Sequence, residues 1–277
     1  MKRIILNKLL LWLFTGLIAA VILLPVYWMF LSSITPANKL FTFPINYFPG
    51  SATLDNFRQL FKVVDIPRLA FNTLIVSFFS ILGSIIFSLL AGYGFTRISH
   101  KSLNVALAFI FLTTILPPIA VIIPVFQIFR ALHLYDTHLG LIIIYISNLL
   151  PFTTFAFVSF YRQIPFTLEE AASVDGAGIL RIIFQIIMPI MKPAIATMAI
   201  INFILAMNEF ITPLILTMEN AKMLIVGITE IQRQNEYQIP WDKISAYGTL
   251  MLLPIVVFVM SFEKKIMDGI LAGSIKG

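Results

Sequence analysis

Six long apolar runs, each almost free of charge, constrain this chain more than any other feature. They are Leu9–Leu31, Phe71–Phe95, Leu103–Phe129, Leu139–Phe160, Pro193–Thr217 and Ile244–Phe262. A helix crossing a bilayer needs about 20 mostly apolar residues, and each run supplies roughly that number. Composition agrees: 59% of residues are hydrophobic and 12% charged, with mean hydropathy +0.96, where a soluble domain carries about 25% charged residues. The reading is an all-α membrane protein of six transmembrane helices, a single domain over residues 1–277. The longest connecting segment, Ser32–Ala70, is below the size of about 40 residues at which a chain holds a core without staples.

Charge sets the orientation. With the N-terminus inside, the inner segments hold eleven Lys and Arg and the outer ones eight, which places both termini in the cytoplasm. Lys2, Arg3 and Lys8 before the first run look like a signal peptide, but that run is too long and lacks a small-x-small cleavage site, so it reads as an uncleaved first span. The net charge of +6 follows the edges of the runs and not one soluble face, so nucleic acid is not a partner; the lipid bilayer is. Pro117, Pro118 and Pro124 in the third run and Pro254 in the sixth each remove a backbone hydrogen bond, and kinked or broken helices are expected there.

Several chemistries are excluded. There is no cysteine, hence no disulfide, thiolate metal site or thiol nucleophile. No G-x-x-x-x-G-K-[ST] segment exists; Gly92-Tyr-Gly94 lacks the lysine, so this chain is not expected to bind or hydrolyse ATP. His100, His133 and His138 have no metal-ligand spacing, and the serines have no nucleophile elbow. The expectation is a non-enzyme with no cofactor and no metal of its own.

The most informative segment lies in the inner loop 161–192: Pro165-Phe-Thr-Leu-Glu-Glu-Ala-Ala-Ser-Val-Asp-Gly-Ala-Gly178. Thr167 as N-cap with Glu170 at the third position forms a capping box. Leu168–Asp175 makes two turns, and Gly176 supplies the left-handed stop. Two turns are too few to persist in water, so the helix must pack against something; Ala171, Ala172 and Val174 offer a small apolar face. Beyond it, Ile179, Ile182, Ile183, Ile186 and Ile187 form an apolar stripe that reads as an interfacial helix. On these residues alone, a docking element and a self-capped connecting turn both remain open.

Glu170-Ala-Ala, then Gly176, Ile186 and Met188-Pro189 resembles the EAA signature of ABC importer permeases, with Met188 where leucine is usual. Six spans, Leu168-Glu-Glu-Ala-Ala-x-x-Asp-Gly-Ala177, Asn208-Glu209-Phe210 and the ending Gly269–Gly277 extend the resemblance over nearly the whole chain to the carbohydrate, maltose-transporter-type branch. The resemblance implies a coupling helix that docks on a cytoplasmic ATPase through Glu170, Ala171, Ala172, Asp175 and Gly176. It implies two ATP-binding subunits carrying the ATP and magnesium, a second homologous permease and an extracytoplasmic solute-binding protein. It further implies a multi-pass chain in a bacterial or archaeal inner membrane. It gives the outer loop Met218–Lys243 a contact with the binding protein through Gln232, Asn235, Tyr237 and Trp241, and the tail Ile275, Lys276 and Gly277 a reach toward the ATPase pair.

Glu209 is the sole carboxylate within a run, and an ionisable group in a membrane marks function by default. On a continuous helix Asn202, Glu209 and Thr212 share a face, with Asn208 beside it. Gln127, Tyr145 and Asn148 add hydrogen-bonding groups suited to a polyhydroxylated solute. Each is also readable as glue between helices, the more common role of such residues in a span. The expected function is the permease subunit of an ATP-driven importer for a sugar or similar solute, a glycerophosphodiester or small glycoside included. An ion-coupled carrier using Glu209 and a non-transporting scaffold are the alternatives.

Overall fold

A computed structural model of the chain describes residues 2–231 and 239–274, with side chains placed over 7–262 apart from 118 and 232–238. All regular structure in the described residues is helical. The chain divides into two compact units, residues 1–66 with 227–254 and residues 67–226 with 255–277.

The first unit holds α1 (Lys2–Ser33) and α2 (Asp55–Val63). The side chains of α1 are exposed on all sides through Leu11, Trp12, Leu13 and Phe14, as for a span whose solvent is lipid or another chain. Its C-terminal end is tied down by Asn56, which is buried on α2 and donates from Nδ2 to the carbonyls of Ser33 at 2.9 Å and Thr35 at 2.8 Å. Gly248, in the final helix, is packed against Met29: a Cβ there would stand 2.8 Å from the sulfur.

The second unit carries α3 (Ile66–Arg97), α4 (Lys101–Thr113), α5 (Pro118–Ala131), α6 (His138–Tyr161) and α7 (Thr167–Val174). Next come α8 (Ile179–Arg181), a π-helical stretch Ile182–Ile187 and α9 (Met188–Ile190), then α10 (Lys192–Asn208) and α11 (Ile211–Leu216). The last helix, α12 (Trp241–Ser274), begins in the first unit and ends in the second.

Among the described residues, four helices are long and apolar enough to cross a membrane unaided: Asn7–Ser33, Ile66–Arg97, His138–Tyr161 and Trp241–Phe262. The third and fifth predicted spans are broken. The third stops after Thr113 and restarts at Pro118, because Pro117 is held extended (φ −65°, ψ 129°) and the proline at the first helical position has no N–H to lose. The fifth ends at Asn208, where Glu209 turns extended (φ −74°, ψ 112°). Ahead of it, Ile179–Ile190 meets Lys192–Asn208 at 81°. Pro254, expected to kink or break its helix, does not end α12; proline is tolerated inside membrane helices where other groups take up the freed carbonyl.

The second unit is held by a seam of small residues. Ser77, Ser80, Ser84 and Ser88 on α3 are all buried, and Ser80, Ser84, Ser88 and Gly92 recur every fourth residue. Ser80 and Ser88 donate to the carbonyls of Ile142 and Leu150 on α6, and Thr154 donates to Ser88 Oγ at 3.0 Å. A Cβ at Gly83 would reach Ile146 at 2.5 Å, and one at Gly92 the Tyr161 ring at 3.1 Å. Lipid tails are as apolar as leucine, so helices in a membrane associate through close backbone approach and such hydrogen bonds, each worth about 0.6 kcal/mol.

Candidate functional site

Two features concentrate the chemistry. The first is α7. Its start differs from the sequence expectation: Phe166 is helical (φ −66°, ψ −25°), its carbonyl accepts the N–H groups of Glu169 and Glu170, and no side chain caps it. Thr167 therefore lies inside the first turn, where its hydroxyl has lost the extended geometry an N-cap needs, and the capping box with Glu170 does not form. The end follows expectation. Gly176 has φ +81°, its N–H donates to Ser173 at 3.0 Å, and that of Ala177 donates to Ala172 at 3.0 Å. These two bonds make a complete Schellman closure.

Glu170, Ala171, Asp175 and Gly176 are exposed, and Val174 is 88% exposed. Ala172 points the other way, into a core with Ile85, Leu89, Phe157, Tyr161, Ile187 and Met198, so it anchors the helix and is not part of its outer face. The isoleucine stripe is divided: Ile182, Ile183 and Ile187 are buried and Ile186 partly so, while Ile179 is exposed. A π turn closes i to i+5, which puts Ile182 and Ile187 on one side, and that side faces this core.

Glu169, which the sequence places with Glu170 at the positive end of the helix dipole, has a second role. It is buried, and its Oε1 accepts from Arg97 Nε at 2.7 Å, with side-chain exposures of 3% and 12%. Adjacent helical residues point about 100° apart, so of the two glutamates one faces in and the other out.

The second feature is a cavity of about 440 Å³ at the two broken spans. Thr113, Thr114 and Leu116 border it from the first break, Glu209 and Thr212 from the second, and Tyr145, Ser147 and Asn148 from α6. Irregular backbone at membrane depth is tolerated where it lines such a cavity. Glu209 Oε1 accepts the N–H of Thr212 at 2.9 Å, and Tyr145 donates to the Glu209 carbonyl at 3.4 Å. The walls are otherwise apolar, with Val121, Ile122, Val125 and Leu205 among them.

Of the path residues expected from sequence, Tyr145, Asn148, Glu209 and Thr212 meet at this cavity. Asn202 does not border it: fully buried, it donates to Ser84 Oγ at 3.1 Å and Thr153 Oγ1 at 3.0 Å, joining α10 to α3 and α6. Asn208 donates to the Ile204 carbonyl at 2.8 Å, and Gln127 is exposed on α5, both off the cavity. The single helical face proposed for Asn202, Glu209 and Thr212 is absent because the helix ends before Glu209.

On the expected outer side, Asp136 (φ 55°) gathers the loop after α11. Its Oδ1 accepts the N–H groups of Met218 and Ala221, and its Oδ2 those of Glu219 and Asn220, at 3.0–3.2 Å. Burial pushes its carboxyl upward, but these backbone donors outweigh that and hold it below the ordinary value. Asn72 donates to the carbonyls of Asn220 and Lys222 and bonds His138 at 2.8 Å. His100 bonds Ser102 near the start of α4, and no group of three or more possible metal ligands occurs among the described residues. Trp241 opens α12 and is half exposed. Gln232, Asn235 and Tyr237, with Ile275, Lys276 and Gly277, lie outside the described residues.

The family described as binding-protein-dependent transport system inner membrane component matches residues 84–268, a stretch that takes in α7 and the cavity. The chain belongs to this family. It is 32% identical to the sulfoquinovosyl glycerol transport system permease protein SmoH of Agrobacterium fabrum, over 92% of this chain and 89% of that one. It is 30% identical to the trehalose transport system permease protein SugB of Mycobacterium tuberculosis, over 94% and 95%. Among solved structures, a bacterial ABC transporter involved in the import of the acidic polysaccharide alginate superposes with TM-score 0.78 at 22% identity, covering 94% of this chain and 95% of the other. The all-helical permease fold and a multi-pass inner membrane component follow.

Proposed function

We propose that this chain is the permease subunit of an ATP-driven, binding-protein-dependent importer for a sugar or related polyhydroxylated solute. The observation that carries it is the exposed, Schellman-closed helix α7 at the EAA spacing, in a member of this family. Glu170, Ala171, Asp175 and Gly176 meet the ATPase, with Val174 beside them as an apolar contact. Relatives named for trehalose and sulfoquinovosyl glycerol transport support the solute class. A related structure that includes a periplasmic protein with an alginate pentasaccharide supports an external binding protein. The full assembly is two ATP-binding subunits, which hold the ATP and magnesium, with a second homologous permease and the binding protein, in a bacterial or archaeal inner membrane. The outer loop, through Gln232, Asn235, Tyr237 and Trp241, meets the binding protein.

In the cavity, hydroxyl and carboxylate groups on an otherwise apolar wall suit a solute bound through its hydroxyls. Glu209, Thr212, Tyr145 and Asn148 line the passage at this level. Family membership does not favour an ion-coupled carrier built on Glu209 or a non-transporting scaffold. The test is uptake by proteoliposomes holding the chain with the subunits that copurify with it, measured with a panel of disaccharides and glycosides, with and without internal ATP. Uptake that follows an ion gradient and ignores ATP would overturn the proposal.

A further inference from the structure

Arg97 is the last residue of α3, and its guanidinium touches three other segments. Nε donates to Glu169 Oε1 on α7 at 2.7 Å. NH2 donates to the carbonyls of Tyr161 at 3.3 Å and Ile164 at 3.0 Å, where α6 ends. The Phe166 ring lies 5.6 Å beneath it. A cation there meets the negative end of the α6 dipole and two carbonyls at its C-terminal end, that of Tyr161 also accepting the Ile164 N–H at 3.1 Å. The pair is almost fully desolvated, and a buried ion pair is weak evidence of a purely stabilising role, because well-packed apolar residues of similar volume often hold a fold as well.

We infer that Arg97 and Glu169 are positioning residues that bind α7 to α3, so that displacement of the coupling helix is transmitted to the helices at the cavity. The inference rests on the importer reading of the exposed face of α7. Ala172 holds α7 by apolar packing without a directional bond, whereas shifting Glu169 away from Arg97 strands a buried charge. From Arg97 the connection continues within the second unit: α3 bonds α6 through Ser80 and Ser88, and Ser84 accepts from Asn202 of α10, the helix that ends just before Glu209.

The test uses the intact complex in proteoliposomes and reads solute transported per ATP hydrolysed. A double variant, Arg97→Met with Glu169→Met, removes both charges together and leaves neither stranded. It is expected to assemble with its ATPase and to hydrolyse ATP near the wild-type rate, while transport per ATP falls about tenfold, the scale of coupling energies between sites. Arg97→Lys keeps the charge but lacks the planar fork whose Nε and NH2 serve α7 and the end of α6 together, and it should fall between the two. An unchanged ratio in the double variant would overturn the inference. So would failure of the double variant to assemble while Arg97→Lys keeps the wild-type ratio, since the pair would then be a structural brace. A wild-type complex without ATP-driven uptake would instead refute the importer reading.

Discussion

Glu209 accepts the backbone N–H of Thr212 at 2.9 Å and thereby opens α11 at the point where the fifth predicted span breaks. The same residue borders the 440 Å³ cavity. One side chain thus both satisfies a backbone N–H in the first turn of α11 and borders the cavity.

Glu209→Gln keeps an oxygen for the Thr212 N–H and removes only the charge. Complex recovery should stay at the wild-type level while solute uptake falls several-fold. Glu209→Ala should in addition lose about 1 kcal/mol of helix capping. Wild-type uptake kinetics in the glutamine variant would reduce Glu209 to a cap.

Gly176 stands at φ +81°, a conformation that costs a side-chain-bearing residue about 1–2 kcal/mol. Gly176→Val should insert normally yet recover much less ATPase, and Gly176→Asn should be milder because asparagine tolerates this region. Copurification from detergent checks both. Full ATPase recovery with valine would remove the docking role.

The two seam glycines should differ. A methyl at Gly83 meets the flexible Cδ1 of Ile146, whereas one at Gly92 meets the Tyr161 ring, which is pinned by its hydroxyl donating to Leu89 at 2.9 Å. Gly92→Ala should therefore cost roughly 1–3 kcal/mol by overpacking, and Gly83→Ala less. Thermal unfolding in detergent checks the order, and the reverse order would contradict the packing described.

Asp136 is held below its ordinary value, so the sign is fixed. Its contribution to stability is fully present above the unfolded value of about 3.9 and is lost as pH falls through the lower folded value. Asp136→Asn accepts the left-handed backbone but sets an amide against the N–H donors of the outer loop. The variant should melt lower at neutral pH and lose less on acidification below about pH 4 than the wild type does. An equal acid loss in both would contradict the assignment.

Much of this was legible in the sequence. Apolar length marked the four helices long enough to cross a membrane, and Gly176 marked the end of α7, because a left-handed residue closes a helix in that way. Other features depended on packing. Thr167 has the chemistry of an N-cap, but Phe166 extends the helix behind it. Glu169 and Glu170 look equivalent in sequence, and only the placement of Arg97 shows which one is buried. Asn202 and Glu209 both stand out as polar residues in an apolar run, yet the helix break separates their roles. The seam on α3 carried a readable signal, small residues at 80, 84, 88 and 92, that a search for catalytic serines passes over.

The most direct measurement of the central claim is to purify the tagged chain from its native membrane in mild detergent and to identify and count what accompanies it. The account predicts a Walker-type ATPase in two copies and one other six-span permease, with ATP hydrolysis stimulated by a solute-loaded binding protein. A homo-oligomer with no nucleotide-binding partner, under conditions that preserve known importer assemblies, would contradict it.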